Sequence, residues 1–299
     1  MATVRIVPGI ASRSRLRALV VDTLAQPADV RILDAADAEV EATLSESASA
    51  RLRVELGRRG VRVRALEATG LMPERTYRII ATSGPDVFER GVTTLPDDIG
   101  AKGLTLVVAS CFYDGFRGAE NYRTALSTPR GFPDPALKLL VGDNLYLDVR
   151  RAGEKSGDAY PETVTDYLRH FWSGPYVDVL EHLPTLTTFD DHEFWNDFPE
   201  RQSWLSRSWD SARAEWTQAA RDCIDAFQMP LNPPPIRPGS RSYVFEIPPV
   251  SFFVADTRTL RERYRDGRSR MLPDLDLAEL ARWASSLSGF GVFVLGQPL

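Results

Sequence analysis

Hydrophobic residues change their spacing near residue 100, and the chain reads as two parts. Between Arg51 and Leu66, apolar and charged residues alternate: Leu52, Val54 and Leu56 share one face, opposite Arg51, Arg53 and Glu55. The stretch 57–60 has glycine at both ends, and beyond it Val61, Val63 and Ala65 face inward with Arg62 and Arg64 outward. Period two around a glycine-bounded turn predicts a β-hairpin, its arginines forming the solvated face. Past residue 103 the apolar residues come in runs. Residues 104–109 form a nearly continuous one, as a strand buried on both faces does, and 137–141 is a second short apolar strand. Residues 162–172 and 176–183 fit helices, 185–189 a strand, and 203–227 a long helix closed by Pro230 and a proline-rich loop. Adjacent strands at 242–247 and 251–255, a helix at 275–287 and a buried strand at 291–295 complete the chain. Strands alternating with helices predict an α/β layered domain.

Leu71-Met72-Pro73 ahead of Tyr77 resembles the corner of immunoglobulin and fibronectin type III-like sandwiches, where a tyrosine hydroxyl bonds back to the backbone. The expected organisation is therefore an all-β immunoglobulin/fibronectin III-like sandwich over 1–98, a linker at 99–103, and an α/β layered domain over 104–299.

Composition narrows the function classes. A chain of 299 residues with 43% hydrophobic and 26% charged residues is an ordinary globular sequence. Its net charge of -5 gives no global attraction to nucleic acid or to an anionic membrane. No apolar run approaches the roughly 18 residues of a membrane span. The start has no charged segment followed by an apolar one, so no export signal is readable and a cytoplasmic location is expected. Two cysteines, Cys111 and Cys223, make no disulfide framework in a chain of this size.

In layered α/β domains, ligands collect at the carboxyl ends of strands. Three such ends carry unusual residues: 109–114 with Ser110-Cys111, 141–148 with Gly142-Asp143-Asn144-Leu145-Tyr146-Leu147-Asp148, and 189–197 with Asp190-Asp191-His192-Glu193. In the last, three carboxylates crowd into four residues and repel one another, which a bound cation relieves. Each alone has an ordinary reading, as a buried thiol, a Gly-Asp turn or a solvated loop. Their coincidence at successive strand ends is what points to a site. His170 reads as structural, His182 as a helix-end residue, Cys223 as packing, and Trp204, Trp209 and Trp216 as helix packing. A glycosidase reading of Asp190, Asp191 and Glu193 ranks last, because such enzymes separate their two carboxyls across the sugar.

These blocks resemble the alkaline phosphatase D family of the purple acid phosphatase-like metallophosphoesterases. Gly142-Asp143-x-x-Tyr146 matches a Gly-Asp-x-x-Tyr block, and Asp190-Asp191-His192-Glu193 resembles the Asp-Asp-His-Glu block of this family, at the place where wider relatives carry Gly-Asn-His-Glu. Ser110-Cys111 matches a cysteine after the first catalytic strand, and Asp256-Thr257-Arg258 resembles a Leu-Asp-x-Arg segment. The resemblance implies a metallophosphoesterase domain behind a sandwich, with metal ligands Cys111, Asp143, Tyr146 and Asp191 and with His192 catalytic, hydrogen-bonding the phosphoryl oxygen or protonating the leaving group. It also implies two or more metal ions, Fe3+ at the Cys111–Tyr146 side and Ca2+ beside Asp191, and a phosphate-ester substrate, a phosphomonoester or phosphodiester. Arg258 and Arg123 are candidate phosphate contacts, with an Asp256–Arg258 ion pair the competing role for Arg258. The family is often exported. One departure stands out: such a site takes further ligands from its C-terminal half, whereas the three histidines here are His170, His182 and His192. The expectation is a site incomplete in this chain, with a non-catalytic, degenerate metallophosphoesterase-like binding protein as the alternative.

Overall fold

A computed structural model describes residues 3–100, 103–113, 120, 134–149, 157–172, 174–263 and 270–297. The first part holds strands β1 (Val4–Ala11), β2 (Arg15–Asp22), β3 (Asp29–Leu33), β4 (Glu39–Val40), β5 (Ala42–Glu46), β6 (Arg62–Thr69), β7 (Thr76–Ser83) and β8 (Asp86–Thr93). They form two four-stranded sheets, in the orders β1-β2-β6-β5 and β4-β3-β7-β8. Every pairing is antiparallel. Leu16, Ala18 and Val20 of β2 join Ile32, Leu66, Ile79 and Ala81 in a shared core. The alternate residues Leu19 and Val21 belong to a second core, made mainly by the helices that follow. The sheet containing β2 is thus buried on both faces. At the corner, the backbone N–H of Met72 donates to the Tyr77 hydroxyl at 2.9 Å, the bond expected from Leu-x-Pro ahead of tyrosine.

The predicted hairpin is not there. Residues 50–58 form helix α1 (Ala50–Arg58), capped by Ser49, whose Oγ accepts from Leu52 N at 3.3 Å. Leu52 and Leu56 satisfy i, i+4 as well as they satisfy alternation, and Val54, the third member of the supposed inward face, is 55% exposed. The return segment is strand β6, but Arg64 is buried, not solvated. Arg62 and Arg64 both reach Asp22, which is fully buried, at 2.7 and 3.0 Å. The arginine pattern therefore records a buried ion cluster.

The second part opens with β9 (Leu106–Ala109), β10 (Leu137–Val141) and β11 (Thr185–Thr188), parallel strands in the order β11-β10-β9. Helices α2 (Ala159–Trp172) and α3 (Gly174–Glu181) lie between β10 and β11. A third, α4 (Arg213–Cys223), packs on α2. Beyond it come β12 (Tyr243–Ile247), β13 (Val250–Val254), α5 (Asp274–Ser286) and β14 (Phe290–Val294), the strands forming a sheet in that order. The long helix expected at 203–227 begins only at Arg213, ends at Cys223, and continues as a π turn over Ile224–Gln228. Trp216 is buried beneath the Arg207 guanidinium, 4.1 Å from its ring centre, while the side chains of Trp204 and Trp209, ahead of the helix, are exposed. β9 and β14 are not doubly buried. Val108 is 60% and Phe290 70% exposed, because each strand ends its sheet among the described residues.

Lys138, in the middle of β10, is fully buried. Its Nζ donates to Val179 O and, at 2.9 Å, to His182 O, so a cation caps carbonyls at the C-terminus of α3. That is the role the sequence reading gave to His182. The His182 pKa is lowered, by burial and by the Lys138 and Arg90 charges, opposite to the effect of a helix dipole. Burial brings the Lys138 ammonium down to about 7. His170 is buried, edge-on to Tyr176 at 5.6 Å, and Cys223 is packed in the helical core.

Candidate metal centre

The turn after β10 is built around Gly142. Its φ of +87° suits glycine, and an added Cβ would sit 2.7 Å from the Cβ of Asp190. The close approach brings the loop after β10 against the loop after β11. Asp143 follows with φ 52° and Cys111, after β9, has φ 58°, so two non-glycine residues are held in the left-handed region at adjacent strand ends. Phe112 N donates to Asp143 O at 2.9 Å and Cys111 N to Gly142 O at 3.2 Å, joining the first two loops.

Glu193 joins the second to the third. It is fully buried, and its two oxygens accept the backbone N–H groups of Asn144 (2.7 Å), Asp190 (3.0 Å) and Asp143 (3.1 Å). Burial and the Asp143 charge raise its pKa well above the ordinary carboxylate range. One side chain therefore ties down the backbone on either side of the centre.

Within this frame, Asp143, Asp191 and His192 offer ligand atoms that all lie within 4.8 Å of one another. The Cys111 thiol and the Tyr146 hydroxyl each donate to Asp143 Oδ2 at 3.5 Å, and His192 N donates to Asp143 Oδ1 at 3.3 Å. Five residues named from sequence are thus brought together, with the Asp143 carboxylate at their centre. Asp191 is steadied by the Asp197 N–H at 2.5 Å. The electrostatics fit a cation. Burial raises the Asp143 pKa, His192 opposes that rise and Asp191 adds to it. Burial, with Asp143 and Cys111, also raises the Tyr146 pKa, so a phenolate here needs a positive ion beside it. Two carboxylates and an imidazole grouped in this way, with a thiol and a phenol each 3.5 Å from Asp143 Oδ2, are donor types that fit di- or trivalent metal ions.

His192 has a second partner. Its Nδ1 lies 2.8 Å from Asp148 Oδ1, and Asp148 Oδ2 accepts from Asn196 N at 2.8 Å. An ionised Asp148 accepts only, so Nδ1 carries the proton and Nε2 is left for a ligand or substrate oxygen. Burial alone lowers the imidazole pKa. The Asp148 hydrogen bond and the charges of Asp148, Asp143 and Asp191 outweigh that and carry it above its ordinary value.

Arg258 is engaged elsewhere. Its Nε donates to Asp190 Oδ1 at 2.5 Å and its Nη1 to Phe198 O at 2.6 Å. An ion pair was the alternative weighed for it, but the partner is Asp190. From Arg258, Asp256 takes the backbone N–H, at 3.1 Å, and its other donors are the N–H, at 2.8 Å, and hydroxyl of Thr259. Burial brings the Asp190 pKa up to about 6 despite Arg258. Arg123 lies outside the described residues. Asp148, Asn144 and the clamping role of Glu193 had no separate signal in the sequence. Asp148 lies five residues past Asp143 with no spacing rule to mark it, and Glu193 was grouped with the ligands, not beneath them.

Comparison with solved structures returns PhoD, 17% identical with a TM-score of 0.68, over 97% of this chain and 61% of that one. It also returns purple acid phosphatase PPD1 from yellow lupin (Lupinus luteus) seeds, 13% identical with a TM-score of 0.56, over 95% of this chain and 48% of that one. The chain shares the fold of these two proteins. Within that fold, the carboxyl ends of β9, β10 and β11 carry the donor cluster. The chain spans 61% of the length of PhoD and 48% of that of the lupin enzyme. No family model and no curated protein sequence matches it.

Proposed function

We propose that this chain carries the metal-binding and proton-donating part of a metal-dependent phosphate-ester hydrolase, acting on phosphomonoesters or phosphodiesters. The observation that carries the reading is the convergence of Asp143, Asp191 and His192 within 4.8 Å, at the carboxyl ends of parallel strands, in a chain with the fold of two phosphatases. Its organisation is a sandwich of immunoglobulin/fibronectin III type over 1–98 and a metallophosphoesterase domain over 104–299. Cys111, Asp143, Tyr146 and Asp191 hold the metals. Asp143, at the centre of the donors, would neutralise the most cationic charge; the thiol and phenol side would suit Fe3+ and the carboxylate of Asp191 would suit Ca2+. Bound cations supply positive charge to the non-bridging phosphoryl oxygens and make an attacking water more acidic.

The remaining chemistry belongs to the chain itself. His192 presents Nε2 toward the leaving oxygen and gives it a proton, with Asp148 fixing the ring and stabilising its charged form. Glu193 keeps the two loops in register so that the carboxylates do not spread. Arg258 orients the third loop through Asp190.

Hydrolysis of p-nitrophenyl phosphate and its bis-ester by the metal-loaded chain, compared with Asp143→Asn, tests the proposal. Loss of at least about 100-fold in rate with Asp143→Asn is expected, since removing one charge-stabilising group in an active site costs that much. Equal rates in the two proteins, or no metal bound to either, would sink it. The donors converging here all come from residues 111–192, which is the observation favouring a second reading, a non-catalytic metal-binding module. That reading predicts metal binding without turnover.

A further inference from the structure

The metal-centre reading gives Asp143 a task but leaves open what keeps it in a left-handed backbone, at φ 52°. The next residue, Asn144, is 3% exposed. Its Nδ2 donates to Thr188 O, at the end of β11, at 2.8 Å and to Gln228 Oε1 at 3.1 Å. Gln228, equally buried, is held from behind, its Nε2 donating to the Tyr167 hydroxyl of α2 at 3.1 Å. A departure from regular helix brings Gln228 there. After Cys223 the chain winds through Ile224–Gln228 as one π turn, whose bonds skip one residue more than those of an α-helix. The sandwich grips the same turn, Ser47 Oγ donating to Ala226 O at 2.9 Å. Embedded π turns gather at functional sites, because they re-aim a side chain that regular helix would direct elsewhere.

We propose that Gln228 is a positioning residue for the Asp143 carboxylate, acting through Asn144 to set how tightly the centre holds a divalent cation. The proposal rests on the metal-centre reading. Glu193 fixes the N–H groups of Asp143 and Asn144, but backbone bonds leave the Asn144 side chain free to turn. Thr188 O alone restrains one of its two amide hydrogens, and Gln228 supplies the second restraint. A leucine at 228 fills similar volume while leaving the Asn144 amide and the Tyr167 hydroxyl each short of a partner. The strained turn then relaxes and the Asp143 oxygens shift from the bonding positions.

The experiment titrates Mn2+ into the 299-residue chain, follows free Mn2+ by electron paramagnetic resonance, and measures the melting temperature of the metal-free proteins in chelator. Wild type is expected to bind, and Asp143→Asn to lose that site. Gln228→Leu is expected to bind about tenfold more weakly, as outer-sphere partners of metal ligands do when removed. Tyr167→Phe, which frees Gln228 from behind by removing one oxygen atom, is expected to weaken binding by about threefold, or roughly 0.6 kcal/mol. It carries the test should Gln228→Leu not fold. A purely structural role moves the melting temperature and leaves the Mn2+ affinity of folded protein unchanged. Wild-type affinity in the folded variants, with Asp143→Asn dead, overturns the positioning role and leaves the metal centre standing. No Mn2+ binding by wild type overturns both.

Discussion

At the scale of single residues, the site is a set of charges that oppose one another unless a cation joins them. Asp143, Asp190 and Glu193 all have raised pKa values, with burial the largest cause in each. His192 is the exception that gains from the crowd, because its charged form is the one the carboxylates favour. This gives a prediction for the metal-free protein. Asp148→Asn removes the largest influence raising the His192 pKa, so that pKa falls. In the folded protein the proton is then lost at lower pH than in wild type. The stability contributed by charged His192, present below its unfolded pKa and lost as pH rises through the folded one, shrinks accordingly. With only three histidines in the chain, NMR titration resolves the shift, and an unchanged His192 titration would show the Asp148 contact to be incidental. The five converging donors were legible in sequence because their residue types are rare together at strand ends. Asp148 and Gln228 were not, since neither residue type announces what it will touch, and Gln228 reaches the site only through a turn that no hydrophobic period encodes.

At the scale of elements, the largest difference between sequence and structure arises because a short apolar pattern satisfied two periods at once. Leu52 and Leu56 are compatible with a strand and with a helix, and Ser49 decides for helix by capping it. Ser49 also donates to Asp222 Oδ2 at 2.5 Å, where Tyr160 OH donates at 2.9 Å, so the cap docks α1 onto α2 and α4. Ser49→Ala is expected to lower unfolding free energy by about 1–2 kcal/mol, from a lost cap and a buried carboxylate short of one donor. Urea denaturation reads this directly, and a change within about 0.5 kcal/mol would mean that α1 does not depend on its cap. Lys138 gives an element-scale test of pH. Its folded pKa of about 7 lies below its ordinary value, so the unfolded chain binds more protons above pH 7. Stability relative to Lys138→Met therefore rises as pH rises from about 7 toward 10. A difference that is flat or falls with pH would contradict a buried, desolvated ammonium.

At the scale of the whole molecule, the two-part reading of the sequence meets a more continuous object. The core behind the metal loops includes Val7, Leu19, Leu52 and Val63 from the first part with Leu140, Tyr167, Trp195 and Phe227 from the second. Alternation at the start of β6 was legible as strand, but not that both faces would be covered, because most of the covering residues come from helices far later in the chain. The opposite error occurred at β14. Its apolar residues read as buried, yet Phe290, Val292 and Phe293 are exposed, and its outer edge pairs with no strand among the described residues. Such an edge invites pairing with another chain. Phe293→Lys is expected to reduce concentration-dependent association in sedimentation velocity, whereas a wild-type chain monomeric at all concentrations would show the edge to be covered.

The central claim is that Asp143, Asp191 and their neighbours form a metal centre, and anomalous diffraction from crystals grown with Mn2+ tests it most directly. The account predicts a peak within about 2–2.5 Å of an Asp143 oxygen, the range of metal–oxygen bonds, and similarly close to Asp191 or to the Cys111–Tyr146 side. Well-ordered loops with Asp143 and Asp191 in place and no peak between them would contradict it.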